Sequence, residues 1–280
     1  MKLGTVSDIH QMNSKWKEVV KACYEEQFDV LAVAGDIFPK DNGILYHPQW
    51  FKHFKRYAQE IKDTGTKMVL TLGNDDNQLL IPEMEKGHEE GLWYYLDNSI
   101  VEIDGYEFVG MPYVPDYPFG YKFWCHGEYN DHLRICPQQF GKPILVGEDN
   151  KFYNIRDLEE YFKSKQSIHG ALVDLTKKVE DIEKSIWLIH APPSGMGLDL
   201  CAHGETVGSD AVLDFIEESQ PMLTIHGHIH EAPEYNGNKW KQECHNTLCI
   251  QNGQVGFDLY YSVVELEKGE IISAKHSIYN

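Results

Sequence analysis

No apolar run of 18 or more residues occurs anywhere in the 280-residue chain, so no stretch is long enough to cross a bilayer as a helix. The opening segment, Met1-Lys2-Leu3-Gly4-Thr5-Val6, lacks a long apolar signal core. The six cysteines, at 23, 125, 136, 201, 244 and 249, form no CxxC pair. Together these absences lead us to expect a cytoplasmic protein with reduced thiols. Positive charge is scarce: 25 Lys and Arg stand against 44 Asp and Glu, a net charge of −19. Phosphate contacts are made mainly by Lys and Arg, which argues against a broad duplex-DNA or anionic-membrane surface. A phosphorylated substrate is still allowed, because metal ions can supply the missing positive charge. Internal repeats, low-complexity stretches and a Pro/Ser linker are also missing. The expectation is one domain over residues 1–280.

What is present alternates strand and helix in the first third. Lys2–Val6, Asp29–Ala34 and Lys67–Leu72 read as buried strands. Trp16, Val19, Val20 and Cys23 fall at helical spacing after the capping candidate Ser14. Trp50, Phe51, Phe54, Tyr57, Ala58 and Ile61 mark a second amphipathic helix closed by Gly65. Residues 113–154 are rich in Pro, Tyr, Phe, Trp and Gly and show little periodicity, so they read as a long functional loop or insertion. Helical patterns return at Ile155–Lys165, Ala171–Lys184 and Asp210–Glu218, with strands at Ser185–Ile189 and Met222–Ile225. The tail from Thr247 to Ser277 is expected to form antiparallel strands.

Five of the strands are followed by short motifs of Asp, Asn and His. They are Asp8-Ile9-His10, Gly35-Asp36, Gly73-Asn74-Asp75-Asp76, His190-Ala191-Pro192-Pro193 and His226-Gly227-His228-Ile229-His230. Ligands of open α/β sheets bind beyond the carboxyl ends of strands, so these motifs are expected to share one crevice. Residues two apart in an extended segment point the same way, which lets Asp8 join His10, and His228 join His230. Two Asp, one Asn and four His exceed the needs of one tetrahedral zinc and mix nitrogen with oxygen. The set suits two divalent metals bridged by Asp36. Two metals about 3.5–4 Å apart can polarise a phosphoryl oxygen and yield a hydroxide nucleophile near neutral pH. The glycines allow sharp turns beside the ligands.

In this order, D-x-H, G-D, G-N-x-D, H and G-H-x-H resemble the calcineurin-like metallophosphoesterase superfamily, nearest to its small single-domain bacterial and archaeal members. The resemblance runs from residue 8 to 230. It implies an α/β fold, a β-sandwich flanked by helices in four αββα layers, with the tail supplying strands of the second sheet. It also implies that Asp8, His10 and His230 hold one metal, that Asn74, His190 and His228 hold the other, and that Asp36 is shared. Manganese, iron or zinc would all suit these ligands. The implied activity is metal-dependent hydrolysis of phosphodiester bonds, with monoesters as a second option, on a phosphorylated small molecule or nucleotide.

Two departures stand out. Where the family usually has a histidine thought to protonate the leaving group, this chain has Asp75. A carboxyl beside cations stays ionised at neutral pH and is a poor proton donor. General acid–base help is worth about 10²–10⁴ in rate, so its loss slows a reaction without abolishing it. His126, His132 and His203 are candidates to compensate. Pro39 replaces an acidic residue that some relatives place after G-D-x-x.

Other residues have plainer readings. His226 is expected to be a hydrogen-bonded strand histidine rather than a ligand. Cys125, His132 and Cys136 match no standard zinc spacing. The aromatic set Tyr113, Tyr117, Phe119, Tyr121, Phe123 and Trp124 either stacks a nucleobase or packs the insertion down. For Gly204–Ser209, a loop ending in an N-cap at Ser209 is favoured over a phosphate cradle. An alternative function is a catalytically attenuated metal-binding scaffold or sensor of the same fold. A DNA exonuclease fits the net charge poorly. Oligomeric state is left open by the sequence.

Overall fold

The computed structural model describes residues 1–10, 13–39 and 43–279. The first half carries β1 (Lys2–Val6), α1 (Asn13–Glu26), β2 (Val30–Ala34), α2 (His47–Asp63), β3 (Lys67–Thr71), α3 (Ile81–Glu89), β4 (Tyr94–Tyr95), β5 (Ser99–Ile103) and β6 (Tyr106–Met111). Next come β7 (Phe119–Tyr121), β8 (Phe140–Val146), β9 (Phe152–Asn154), α4 (Leu158–Lys163), α5 (Ile168–Thr176) and β10 (Ile186–Ile189). The last part holds α6 (Asp210–Ser219), β11 (Leu223–His226), α7 (Ala232–Tyr235), β12 (Lys241–Cys244), β13 (Thr247–Gln251), β14 (Ser262–Glu267) and β15 (Glu270–His276).

The strands form two six-stranded sheets. The first runs β15-β14-β1-β2-β3-β4, with β1 to β4 parallel and the last two strands of the chain antiparallel at one edge. The second runs β12-β13-β11-β10-β6-β5, a parallel centre closed by one antiparallel strand on each side. Alternation of side chains along each strand gives every sheet two apolar faces. Leu3, Val30, Ala32 and Val69 of the first sheet pack against Phe108, Leu188, Ile225 and Ile250 of the second. Leu31, Val33 and Leu70 face the other way, onto Trp16 and Val19 of α1 and Phe54 and Ile61 of α2. Val109, Trp187 and Ile189 face outward onto Leu172 of α5 and Val212 and Phe215 of α6. The layers are therefore helix, sheet, sheet, helix.

Three expectations change. The tail is split: β12 and β13 join the second sheet, whereas β14 and β15 complete the first. β13 lies parallel to β11, because the β12–β13 hairpin turns the chain back before it pairs. The helical pattern of 171–184 stops at Thr176, and a single 3-10 turn at Ile182–Lys184 leads into β10. The insertion is also less irregular than its composition implies, since it folds β7, β8 and β9 into a small sheet of its own.

Candidate metal centre

The parallel strands of both sheets end at one edge, and the loops beyond them are tied together in pairs. Asp8 N–H donates to the Gly35 carbonyl and His10 N–H to the Asp36 carbonyl, each at 3.0 Å. Gly227 N–H donates to the His190 carbonyl at 3.0 Å. These loops turn tightly. Asp8 (φ 52°), His10 (φ 37°), Asp36 (φ 51°) and His228 (φ 70°) all occupy the left-handed region, which non-glycine residues rarely adopt. Four such residues in one cluster mark backbone strain maintained for a purpose. Gly35 has φ +88°, and a Cβ there would collide with the His190 ring; a Cβ on Gly227 would lie 2.7 Å from Asp8 Oδ2. Both positions need glycine for close approach.

All seven sequence-predicted ligand residues come together. Asp8, His10, Asp36 and His230 offer one donor atom each within 4.8 Å of one another. His10 Nε2 and His230 Nε2 are 2.9 Å apart, and His230 Nε2 lies 3.5 Å from Asp8 Oδ1. On the other side, Asn74 Oδ1 is 2.9 Å from His190 Nε2 and 2.6 Å from His228 Nδ1. Asp36 lies between the two groups: its Oδ2 is 3.2 Å from His10 Nε2 and 3.4 Å from His190 Nε2.

This donor set suits cations. The Asp8 Oδ2 oxygen is buried without a hydrogen-bond donor. Such an atom costs free energy unless a cation or donor meets it. His190 Nδ1 donates to the Ala34 carbonyl at 2.8 Å, so in the neutral ring Nε2 carries a lone pair facing two oxygens, Asn74 Oδ1 and Asp36 Oδ2. In the protein alone a proton relieves that conflict. Burial opposes the charge on His190, but Asp36 outweighs it and carries the imidazole up to about 9. Burial likewise raises the Asp36 carboxyl to about 6, against the pull of His190. A divalent cation would satisfy the same oxygens and lone pairs without those protons.

Asp75 sits beside this centre. Its backbone N–H donates to Asp36 Oδ1 at 2.8 Å, and its carboxylate accepts from Asn74 Nδ2 at 3.0 Å. That second bond orients the Asn74 amide so that Oδ1 faces the two imidazoles.

Supporting residues were missed by sequence reasoning. Asp76 is fully buried and accepts the N–H groups of Ile37, Phe38 and Gly73 at 2.9–3.2 Å, which ties the Asp36 loop to the Asn74 loop. His47 does the same at longer range, with Nε2 donating to the Pro39 carbonyl at 3.0 Å and Nδ1 accepting from Asn77 N–H at 3.3 Å. Burial holds this imidazole neutral, down to about 4. At the end of β13 and just past it, Gln251, Asn252 and Gln254 are all buried. Gln251 donates to the Gly227 carbonyl, Asn252 to the Thr5 carbonyl at 3.0 Å, and Gln254 to the Ser7 carbonyl at 3.3 Å. A run of amide side chains directly after an apolar strand was the available signal.

The remaining candidates lie elsewhere. His203 is exposed beside Ala202, whose N–H donates to the Glu231 carboxylate at 3.2 Å. His126 is buried, stacked on Tyr113 at 3.5 Å, with Nδ1 2.7 Å from the Gln166 carbonyl. His132 is exposed. Among the described residues Cys125, His132 and Cys136 form no metal-capable group. His226 turns into the protein, with Nδ1 2.9 Å from the carbonyls of Ile189 and Ala191 and Nε2 2.8 Å from Thr224 Oγ1. Ser209 caps α6 by accepting from Val212 N–H. The amides a phosphate would need there are taken by Glu128, which accepts from Asp210 and Ala211 N–H at 3.2 Å. Among the described residues no helix is long and apolar enough to cross a membrane.

A calcineurin-like phosphoesterase family model matches residues 1–232. Among solved structures, a Thermus thermophilus protein is 14% identical with a TM-score of 0.57, covering 98% of this chain and 97% of its own. A dimetal phosphatase from Danio rerio is 12% identical with a TM-score of 0.51, covering 100% and 99%. A Plasmodium protein described as the anchor in the inner membrane complex is 15% identical with a TM-score of 0.51, covering 98% and 87%. At these identities the likeness is one of fold. No curated protein matches the sequence.

Proposed function

The chain belongs to the calcineurin-like phosphoesterase family, and on that premise we propose that it is a hydrolase that cleaves phosphodiester bonds with two divalent metal ions. Asp8, His10 and His230 would hold one ion, Asn74, His190 and His228 the other, with Asp36 common to both. The observation that carries this reading is the position of Asp36 Oδ2, 3.2 Å from His10 on one side and 3.4 Å from His190 on the other. Manganese, iron and zinc all accept imidazole and carboxylate together.

A pair of divalent ions lowers the pKa of water towards neutrality and neutralises charge on the phosphoryl oxygens. The protein's own share is geometric. The Ala34 carbonyl and Asp75 fix the ring of His190 and the amide of Asn74, so the lone pairs are aimed before any ion binds. Asp76 and His47 keep the loops from relaxing. Asp75 in the usual histidine position leaves leaving-group protonation weak, so diesters with good leaving groups are the expected substrates.

Asp75 also supports a second reading, a metal-binding scaffold with attenuated catalysis, and a Plasmodium protein described as an anchor shares the fold. One experiment separates the two. Metal-stripped protein is reconstituted with Mn²⁺, Fe²⁺ or Zn²⁺ and assayed on bis-p-nitrophenyl phosphate and p-nitrophenyl phosphate. Metal-dependent turnover favouring the diester is expected of the enzyme. Stoichiometric metal binding with no cleavage of either ester would establish the scaffold instead.

A further inference from the structure

The insertion divides its aromatic residues into two classes. Tyr121 and Trp124 are buried against the core beside α1 and α2, and Tyr117 is only 8% exposed. Phe152 and Tyr153, at 49% and 53%, and Phe119 and Phe140, at 54% and 60%, are exposed by contrast. The last two stand in line with the candidate metal centre. The Tyr117 ring stands 5.8 Å from the ring of His228, Phe119 is 6.0 Å from Tyr117, and Phe140 stacks on Phe119 at 4.9 Å and 18°. A line of rings therefore leads from the candidate metal centre to solvent.

The outer pair is fixed by its backbone. Phe119 and Phe140 are register partners of β7 and β8. The N–H groups of Gln139 and Phe140 both donate to the Pro118 carbonyl, at 3.1 and 3.0 Å. Beneath them a fully buried ion pair, Lys122 Nζ to Asp116 Oδ1 at 2.7 Å, pins the turn, and Asp116 Oδ2 accepts Cys136 N–H at 2.8 Å. Exposed apolar area carries a cost in water, so a rigid exposed ring pair beside a catalytic centre calls for an occupant.

We propose that Phe119 and Phe140 form the stacking platform for the nucleobase of a phosphodiester substrate whose phosphate lies at Asp36. The inference rests on the hydrolase reading above and adds the substrate class to it. The pair already presents a flat apolar face, and every nucleobase has a π-face to lay on it.

The test compares two diesters with one leaving group, thymidine 5′-p-nitrophenyl phosphate and methyl p-nitrophenyl phosphate. Wild type, Phe119→Ala, Phe140→Ala and Phe119→Trp are measured, with equilibrium dialysis of AMP as a readout independent of turnover. Stacking on an aromatic side chain is worth about 10- to 100-fold per base. Phe119→Ala should lower kcat/KM for the thymidine ester by about that factor, mainly through KM, and weaken AMP binding in step, while the methyl ester changes by less than about twofold. Phe119→Trp should retain the thymidine preference. An unchanged ratio in both alanine variants, or an equal loss on both esters, overturns the platform while leaving the hydrolase intact. AMP binding that depends on Phe119 without any ester cleavage supports the platform and overturns only the hydrolase. A wild-type dimer in sedimentation that dissociates in Phe119→Ala assigns the pair to a second copy and also overturns the proposal.

Discussion

The strand-end loops and the insertion solve opposite problems. In the loops, charged and polar groups are crowded together: Asp8, His10, Asp36, Asn74 and His190 are all buried, and four of the seven candidate ligand residues stand in the left-handed region. In the insertion, apolar rings are left in water while one ion pair, Lys122 with Asp116, is sealed inside. Strain concentrated at the loops aims lone pairs at a point. Exposure of the stacked pair Phe119 and Phe140 leaves a surface ready to be covered. The contrast suggests that chemistry resides in the loops and selectivity in the insertion.

Substitutions should separate these roles. Asp36→Asn is expected to have the largest effect, a loss of about 10³-fold or more in metal-dependent turnover, because charge neutralisation by the ions is worth several kcal/mol. Its thermal midpoint without metal should hold or rise, since burial already pushes that carboxyl up to about 6. Lys122→Met should do the reverse. Breaking a fully buried pair costs about 3–5 kcal/mol and should appear as proteolytic cleavage within 113–154, while the double variant Asp116→Leu with Lys122→Met recovers part of the loss. Asp75→His is expected to raise turnover of a diester with a poor leaving group by about 10- to 100-fold relative to one with a good leaving group. Equal effects on both esters would show that Asp75 acts only by orienting Asn74.

The last expected effect is confined to acid pH. Burial, with the charge of Lys165, holds His126 down at about 3, against a carbonyl bond from Gln166. The unfolded chain therefore takes up this proton first as pH falls. Stability contributed by the neutral ring is complete above about pH 6.5 and is lost at about 1.4 kcal/mol per pH unit down towards 3. Urea midpoints of His126→Gln should fall less steeply across that window than those of wild type.

The centre was legible because its chemistry is local. Asp8 and His10, or His228 and His230, lie close in sequence at the ends of apolar runs, although left-handed turns at Asp8, His10 and His228, not the extended alternation expected, place them. Asp76 stood in plain sight within Gly73-Asn74-Asp75-Asp76, but its partners, Ile37 and Phe38, are 39 and 38 residues away. The insertion was illegible for the same reason. Phe119 finds Phe140 only once β7 and β8 pair, and nothing in composition separates a ring that will be buried, such as Tyr121, from one that will not. Of the two sheets, β1, β2, β3, β10 and β11 were clear from their apolar runs; β4, β5 and β6 were not read, and the tail was unclear where β12 to β15 divide between the sheets.

The most direct measurement is electron paramagnetic resonance of the protein reconstituted with Mn²⁺, alongside metal content per chain. Two manganese ions per chain with a spin-coupled spectrum, giving way to uncoupled Mn²⁺ in Asp36→Asn, is the result expected when one carboxylate serves both ions. A single ion per chain, or two ions without coupling in the wild-type protein, would contradict a centre shared through Asp36.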